Sequence, residues 1–181
     1  MILLLRHGAT AGNLARRYEG CQTDAPLSPE GERALEGLTV PPVDRLFVSP
    51  MQRCVHSARI LWPGMPQILV PGFREIDFGR FEGQTAEQLA GSPSWEAWLS
   101  SGGDAPFPGG ESRAQMTARC LAAMPGVSPG ERVAIVAHGG TLMALMEALA
   151  REKRPYFSWQ TACATGYRLL EDGSWTRFPE P

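Results

Sequence analysis

Four short apolar runs constrain the fold of this chain more than any other feature. They cover residues 2–5, 44–48, 67–70 and 133–137, and they have the length and the β-branched content of buried strands. Segments with helical spacing lie between them. Strands that alternate with helices predict a three-layer α/β/α architecture, in which helices cover both faces of a mostly parallel central sheet.

Three of the helical segments have recognisable boundaries. Pro29 suits the first position of a helix, and the apolar face of that helix follows it. Ser49 as a cap, with Gln52 at the capping-box position, predicts a second helix over residues 50–61. A third apolar stripe predicts a helix that ends before Pro125.

The carboxyl-terminal part has a different pattern. Asp172-Gly173 lies between the strand-like segments 161–170 and 174–178, and this dipeptide is typical of a two-residue hairpin, which predicts an antiparallel edge strand. Residues 80–110 contain two short helical patterns and a Gly/Pro-rich stretch, and we expect them to form a small helical cap inserted over the sheet edge. No repeat or linker divides residues 1–181, which predicts a single domain.

Composition narrows the class of partner. A net charge of −2 provides no field that would gather nucleic acid or an anionic membrane. The four cysteines are far apart and include no C-x-x-C pair, as expected of reduced thiols. The apolar run at residues 2–5 is too short for a signal peptide, and glycines interrupt the run at 133–150. We therefore expect a cytoplasmic protein with a small-molecule ligand.

Polar residues with matching chemistry follow three of the four predicted strands. The first strand runs into Arg6 and His7, Arg53 lies in the helical turn after the second, and His138 and Gly139 follow the fourth. Open α/β sheets bind ligands at the carboxyl ends of their strands. Guanidinium groups, imidazoles and the N–H groups of a helix start together predict an anion pocket, suited above all to a phosphoryl group.

Each of these residues taken alone is also compatible with a structural role. Two of the three histidines, His7 and His138, nevertheless stand at strand ends, and a glycine follows each of them. Their convergence at the strand ends favours a ligand-binding site. His56 either borders the pocket or packs on the helix surface, and Arg33 either adds charge at the pocket rim or faces solvent.

An ordered set of motifs resembles the histidine phosphatase (phosphoglycerate mutase-like) superfamily. The resemblance begins at Arg6-His7-Gly8 and extends from residue 3 to about residue 147, so it is far more specific than its first motif alone. The further matching segments are GCQTDAPLSPEG at 20–31, SPMQR at 49–53, FREIDFGRFEG at 73–83, PGGES at 108–112 and VAHGG at 136–140.

The resemblance implies a double displacement without a metal or cofactor. His7 attacks phosphorus, a phosphohistidine forms, and water then releases inorganic phosphate. Arg6, Arg53 and His138 fit the clamp on the phosphoryl oxygens, and Asn13 is a further donor by analogy with the family.

The resemblance also implies a carboxylic acid that protonates the leaving oxygen. Glu75 corresponds to the donor of similar phosphatases. Asp77 and Glu82 are on the same predicted loop and stay open as alternatives, and Glu75 itself is compatible with a surface ion pair to Arg74.

Substrate choice depends on the cap and on the loop at residues 14–24. The cap contains one cation, Arg80, whereas a phosphoglycerate mutase needs extra positive groups, although Arg16 and Arg17 partly fill this gap. Aromatic residues of the cap fit either packing or the base of a nucleotide-like ester such as α-ribazole 5′-phosphate, a substrate of similar bacterial family members. These aromatic residues are Phe81, Trp95, Trp98 and Phe107.

Two other classes of function stay open. One is a metal-dependent hydrolase with His7, His138 and either Asp24 or Glu75 as ligands, although neighbouring arginines would repel a cation. The other is a phospho-ligand binding protein without catalysis. The sequence does not indicate an oligomeric state.

Overall fold

The computed structural model describes residues 1–180, which form a six-stranded sheet in the order β3-β2-β4-β1-β5-β6. The first four strands of that order are parallel to one another. β5 is antiparallel to β1, and β6 is antiparallel to β5. The strands are β1 (Ile2–Arg6), β2 (Arg45–Val48), β3 (Gln67–Leu69), β4 (Val133–Ala137), β5 (Gly166–Leu169) and β6 (Trp175–Phe178). The helices are α1 (Ala11–Leu14), α2 (Pro29–Glu36), α3 (Gln52–Leu61), α4 (Ala86–Leu89), α5 (Pro93–Ser100), α6 (Arg113–Ala122) and α7 (Gly139–Leu149), with 3₁₀ turns at Pro71–Phe73, Gly79–Phe81 and Tyr156–Trp159.

The sheet is covered on both faces, which confirms the predicted α/β/α layers. Because successive side chains of a strand point to opposite faces, each central strand contributes to two cores. Leu4 and Ile135 pack in the core that includes side chains of α6 and α7. Leu3 and Ala134 pack in the second core, with side chains of α2 and α3.

The predicted helix starts differ in outcome. α2 begins as expected, since the Ser28 hydroxyl oxygen accepts a hydrogen bond from the Gly31 N–H at 3.1 Å. The prediction for α3 was wrong at its start, because the helix begins at Gln52 without a side-chain cap. Ser49 instead places its Oγ 2.8 Å from Nε2 of His138, so this hydroxyl serves the strand-end cluster.

The carboxyl-terminal hairpin is confirmed, but its turn is longer than two residues. The Leu170 N–H donates to the Ser174 carbonyl at 2.9 Å, and within the reversal only Gly173 has a positive φ, of 77°. A two-residue type I′ turn needs two consecutive residues with positive φ, which explains the difference. The strands that it joins are β5 and β6.

The segment predicted as a cap, residues 80–110, contains α4 and α5. Its apolar side chains Phe81, Leu89, Trp95 and Phe107 are buried in the core shared with α6 and α7. The cap is thus anchored by its own aromatic residues. Among residues 1–180, every helix falls short of the length and apolar character that a membrane span requires.

Candidate active site

The strand order brings the predicted strand-end residues together. β4 lies between β1 and β2, and Arg6 pairs with Ala137 in the β1–β4 register. The His7 N–H continues this ladder by donating to the Ala137 carbonyl at 3.0 Å. The rings of His7 and His138 therefore meet edge to face, with their centroids 5.1 Å apart.

His7 is held in one tautomer. Its Nδ1 lies 2.7 Å from the carbonyl oxygen of Gly8, and because a carbonyl only accepts, Nδ1 carries the proton. Burial, and then the guanidinium groups of Arg53 and Arg6, hold the pKa of His7 well below its ordinary value of 6.5. The imidazole is therefore neutral near pH 7, and Nε2 carries a lone pair.

His138 is oriented by partners on both of its ring nitrogens. Arg53 donates from Nε to Nδ1 of His138 at 3.2 Å. Nδ1 is then the acceptor nitrogen, and Nε2–H donates to Ser49 Oγ at 2.8 Å. Burial, followed by the positive charge of Arg53, lowers the pKa of His138 well below 6.5. Both strand-end histidines are neutral and fixed in direction.

Arg53 is fully buried and links the cluster to the loop after α1. Its Nη1 donates to the Thr23 carbonyl at 2.6 Å, and its Nη2 donates to the Gly20 carbonyl at 3.0 Å. With the bond to His138, these contacts use three of the five N–H donors of an arginine. Two donors are left for an anion.

Arg6 has a buried donor with no partner among residues 1–180. Its Nη1 donates to the Thr161 carbonyl at 2.7 Å, whereas its Nε is buried and makes no hydrogen bond within this part of the chain. The guanidinium lies against the bare Cα of Gly139, where an added Cβ would be 3.4 Å from Cζ of Arg6. A buried unpaired donor is costly, so this group is suited to a ligand oxygen.

Glu75 lies at the amino terminus of α7. Its Oε2 accepts from the Gly140 N–H at 3.0 Å, and its Oε1 accepts from the Ile76 N–H at 2.9 Å. A Cβ at residue 140 would be 2.3 Å from Oε1, so the carboxyl group needs a glycine there. The sequence predicted that N–H groups at the start of this helix bind an anion, and one of them, the N–H of Gly140, binds the carboxyl group of Glu75.

A cavity of about 360 Å³ lies over this cluster. Its wall includes four of the predicted site residues, Arg6, Asn13, Glu75 and Gly139. The other three, His7, Arg53 and His138, are buried and do not line it. His7, with 3% of its surface exposed, is buried next to Arg6. The structure therefore brings an unprotonated imidazole nitrogen and cationic donors together beside a cavity that has a carboxyl group in its wall, and in-line phosphoryl transfer requires these groups.

Comparison with known proteins agrees with this geometry. The sequence profile of the histidine phosphatase superfamily (branch 1) matches residues 2–176. The chain belongs to this superfamily. The 2,3-bisphosphoglycerate-dependent phosphoglycerate mutase of Bradyrhizobium sp. (strain BTAi1) is 29% identical over 200 residues, which cover 96% of this chain and 94% of that protein.

Members named as phosphatases are equally similar. The adenosylcobalamin/alpha-ribazole phosphatase of Salmonella typhimurium (strain LT2) is 29% identical over 184 residues, covering 96% of this chain and 87% of that protein. The crystal structure of the alpha-ribazole phosphatase from Shigella flexneri matches with a TM-score of 0.79 and 22% identity, over 94% of this chain and 91% of that one. Membership in the superfamily thus includes both phosphatases and mutases.

The two other acidic residues of the Glu75 loop lie elsewhere in this superfamily member. Asp77 accepts from Gln22 Nε2 at 2.6 Å and lines a second cavity, which Glu75 also borders. Glu82 accepts from the Gly20 N–H at 2.8 Å, and burial raises the pKa of its carboxyl group. Neither lines the cavity that contains Arg6.

His56 and Arg33 are also outside the cavity. Nδ1 of His56 lies 3.6 Å from Glu32 Oε1, on a surface shared by α2 and α3. Arg33 faces solvent, with 66% of its side chain exposed and Glu30 at 3.5 Å.

The sequence patterns missed several residues of the cavity wall. Tyr18 and Glu19 lie in the loop expected to affect substrate choice, but nothing in the sequence distinguished them from their neighbours. Arg113 directly follows the PGGES segment, and Tyr156 and Gln160 come from a 3₁₀ turn after α7 and the residue beyond it. Only the folded chain places these residues opposite Arg6.

The alternative metal site does not assemble. Within residues 1–180, no three His, Cys, Asp or Glu side chains come together as a ligand set. Asp24 uses its carboxylate to accept from the Gln52 N–H at 2.7 Å, at the start of α3.

Proposed function

We propose that this protein hydrolyses a phosphomonoester through a phosphohistidine at His7. The observation that carries the proposal is the fixed tautomer of His7, which leaves Nε2 of a neutral imidazole with a free lone pair beside the guanidinium groups of Arg53 and Arg6. The unpartnered Nε of Arg6 and the remaining N–H groups of Arg53 supply hydrogen bonds to the equatorial phosphoryl oxygens.

The reaction has two steps. In the first, the bond from His7 Nε2 to phosphorus forms while the ester P–O bond breaks, and protonated Glu75 gives its proton to the leaving oxygen. In the second, the Glu75 carboxylate takes a proton from water as the water oxygen attacks phosphorus. The P–N bond breaks, inorganic phosphate leaves, and both residues return to their starting states.

The outer part of the cavity favours a leaving alcohol that contains a planar group. Trp98 lines the cavity with its ring stacked on that of the buried Phe107, 4.9 Å apart and 27° from parallel. Such a wall contacts a flat ring over a large apolar area. Together with the name of the Salmonella relative, this wall makes α-ribazole 5′-phosphate our candidate substrate.

The decisive experiment combines a substrate panel with detection of the intermediate. The panel contains 3-phosphoglycerate, sugar phosphates, nucleotides and α-ribazole 5′-phosphate, and phosphate release is scored separately from isomerisation. We expect phosphate release without a metal requirement, brief labelling of His7 by substrate, and loss of turnover in His7→Ala.

His56→Ala is the matched control, since it removes a histidine outside the cavity. It should keep wild-type turnover. Stable labelling at His138 would refute the role of His7, isomerisation without phosphate release would indicate a mutase, and binding without any turnover would indicate a non-catalytic phospho-ligand protein.

A further inference from the structure

Glu19 places a carboxylate in the wall of the cavity. The hydroxyl of Thr10 donates a hydrogen bond to Oε2 of Glu19, which fixes the direction of the side chain. The carboxyl group also packs on the bare Cα of Gly12, where an added Cβ would be 2.1 Å from Oε1. Oε1 accepts no hydrogen bond from residues 1–180, and Glu19 lines the same cavity as Arg6 and Asn13.

Two other cations stand in the cavity wall: Arg113 is neutralised by an ion pair, and Arg17 keeps its charge at the exposed rim. Arg113 is paired with Asp104 at 2.7 Å, and its guanidinium lies over the ring of Tyr156 at 4.9 Å from the centroid. Arg17 donates from Nη1 to the Gly83 carbonyl at 2.6 Å, on an exposed part of the rim. The cap cation Arg80 does not line the cavity.

We propose that Glu19 determines the charge of the substrate. The carboxylate rejects leaving alcohols that have a second negative group near the ester, and its open oxygen accepts a hydrogen bond from a hydroxyl group in the same place. The preferred substrate is then a phosphomonoester of an uncharged polyol or glycoside. This inference rests on the proposed phosphatase activity and specifies its substrate class.

The size of the effect follows from Coulomb's law. Two unit charges a few ångströms apart near a protein surface interact by an amount that changes an equilibrium or rate constant about tenfold or more. A carboxylate and a hydroxymethyl group have similar sizes, so charge is the main difference that Glu19 would detect between them. Removal of the charge should therefore change the selectivity about tenfold.

Glycerol 3-phosphate and 3-phosphoglycerate provide the test, since they share a three-carbon frame and differ by a hydroxymethyl group in place of a carboxylate. We expect the wild type to have the higher kcat/KM with glycerol 3-phosphate. In Glu19→Gln, kcat/KM for 3-phosphoglycerate should rise about tenfold relative to that for glycerol 3-phosphate. The glutamine keeps an oxygen that accepts from Thr10, so the fold should be retained, which the unfolding temperature checks.

Glu87→Gln is the matched control, because Glu87 is an exposed residue of the cap that does not line the cavity. It changes the net charge equally and should leave the selectivity unchanged. An equal change on both substrates in Glu19→Gln would refute the inference. If the wild type hydrolyses no ester, the proposed function fails. The inference is then tested separately, by calorimetric titration of the same proteins with both anions. A lower Kd for 3-phosphoglycerate alone in Glu19→Gln supports the inference, and equal changes in both Kd values refute it.

Discussion

At the scale of single residues, the two strand-end histidines differ in what their nitrogens contact. His138 has hydrogen-bond partners on both nitrogens, Arg53 and Ser49, whereas among residues 1–180 His7 has a partner only on Nδ1. The two imidazoles of this buried cluster therefore differ in whether a ring nitrogen is free to react. The engaged ring is suited to orientation, and the ring with an open nitrogen is suited to nucleophilic attack.

Glu75 is the residue whose role is most sharply testable. If it protonates the leaving oxygen, Glu75→Gln should slow the hydrolysis of alkyl phosphates by about 10²–10⁴-fold. The loss on p-nitrophenyl phosphate should be much smaller, because that leaving group departs without a proton. Steady-state rates on both ester classes measure the difference.

Asp77→Gln and Glu82→Gln serve as comparisons on the same loop, and we expect neither to show a defect selective for alkyl esters. Equal losses on both ester classes in Glu75→Gln, with phosphorylation of His7 shown to limit turnover, would mean that Glu75 is not the acid.

At the scale of elements, α6 fixes the loop that contains Glu75. Arg119 donates to the carbonyls of Gly72, Arg74 and Glu75 at 2.9, 2.7 and 3.1 Å. Two further bonds of 2.8 Å join its guanidinium to both carboxylate oxygens of Glu111. These contacts use all five N–H donors of Arg119. The ion pair with Glu111 holds the guanidinium in place, and the guanidinium attaches the loop to α6.

Arg119→Gln should therefore move the Glu75 carboxyl group without removing it. We expect kcat on alkyl phosphates to fall at least tenfold, with a smaller loss on p-nitrophenyl phosphate, since a misplacement of about 1 Å costs up to 10²-fold. A purely structural role would lower both activities together. Leaving-group dependence, measured on protein that remains folded, separates the two roles.

Arg45→Gln is the matched control for this prediction. Arg45 forms a comparable two-point ion pair with Glu131 and also donates to the Gly126 carbonyl, away from the cavity. Its loss should lower stability but leave the ratio of the two activities unchanged. The same ratio in Arg119→Gln and in the wild type would contradict the positioning role.

At the scale of the whole molecule, the sheet buries two neutral histidines beside two arginines. Burial and positive charge oppose protonation of both rings, so both pKa values are lowered in the folded state. In the unfolded chain, a histidine takes up its proton near pH 6.5. Below that pH the unfolded state binds more protons than the folded state, and the free energy of unfolding must decrease.

Stability should thus decline as the pH falls below 6.5, by up to about 1.4 kcal/mol per pH unit for each of the two histidines, until the folded pKa values are reached. Above pH 6.5 the two rings do not make the free energy of unfolding depend on pH. His7→Asn removes one of the groups, so its free energy of unfolding should depend less steeply on pH in the same window. Denaturant unfolding from pH 7.5 to 5 measures both slopes, and parallel curves for the two proteins would contradict the prediction.

The layers of the fold and the centre of the candidate site could be predicted from the sequence. Apolar runs and helix starts depend on local periodicity, which is readable along the chain. Arg6, His7, Arg53 and His138 were also predictable, because parallel strands present their carboxyl ends at one edge of the sheet. The resemblance to the family added Glu75 and Asn13, which the structure places in the wall of the same cavity as Arg6.

The side chains that form the rest of the cavity could not be predicted from the sequence. Ser49 contacts His138 instead of capping α3, because β2 and β4 are adjacent in the sheet. Glu19 and Arg113 face the same space although they lie in distant segments of the chain. Such contacts depend on how loops with no periodic pattern fold over the strand ends, and local preferences do not encode that arrangement.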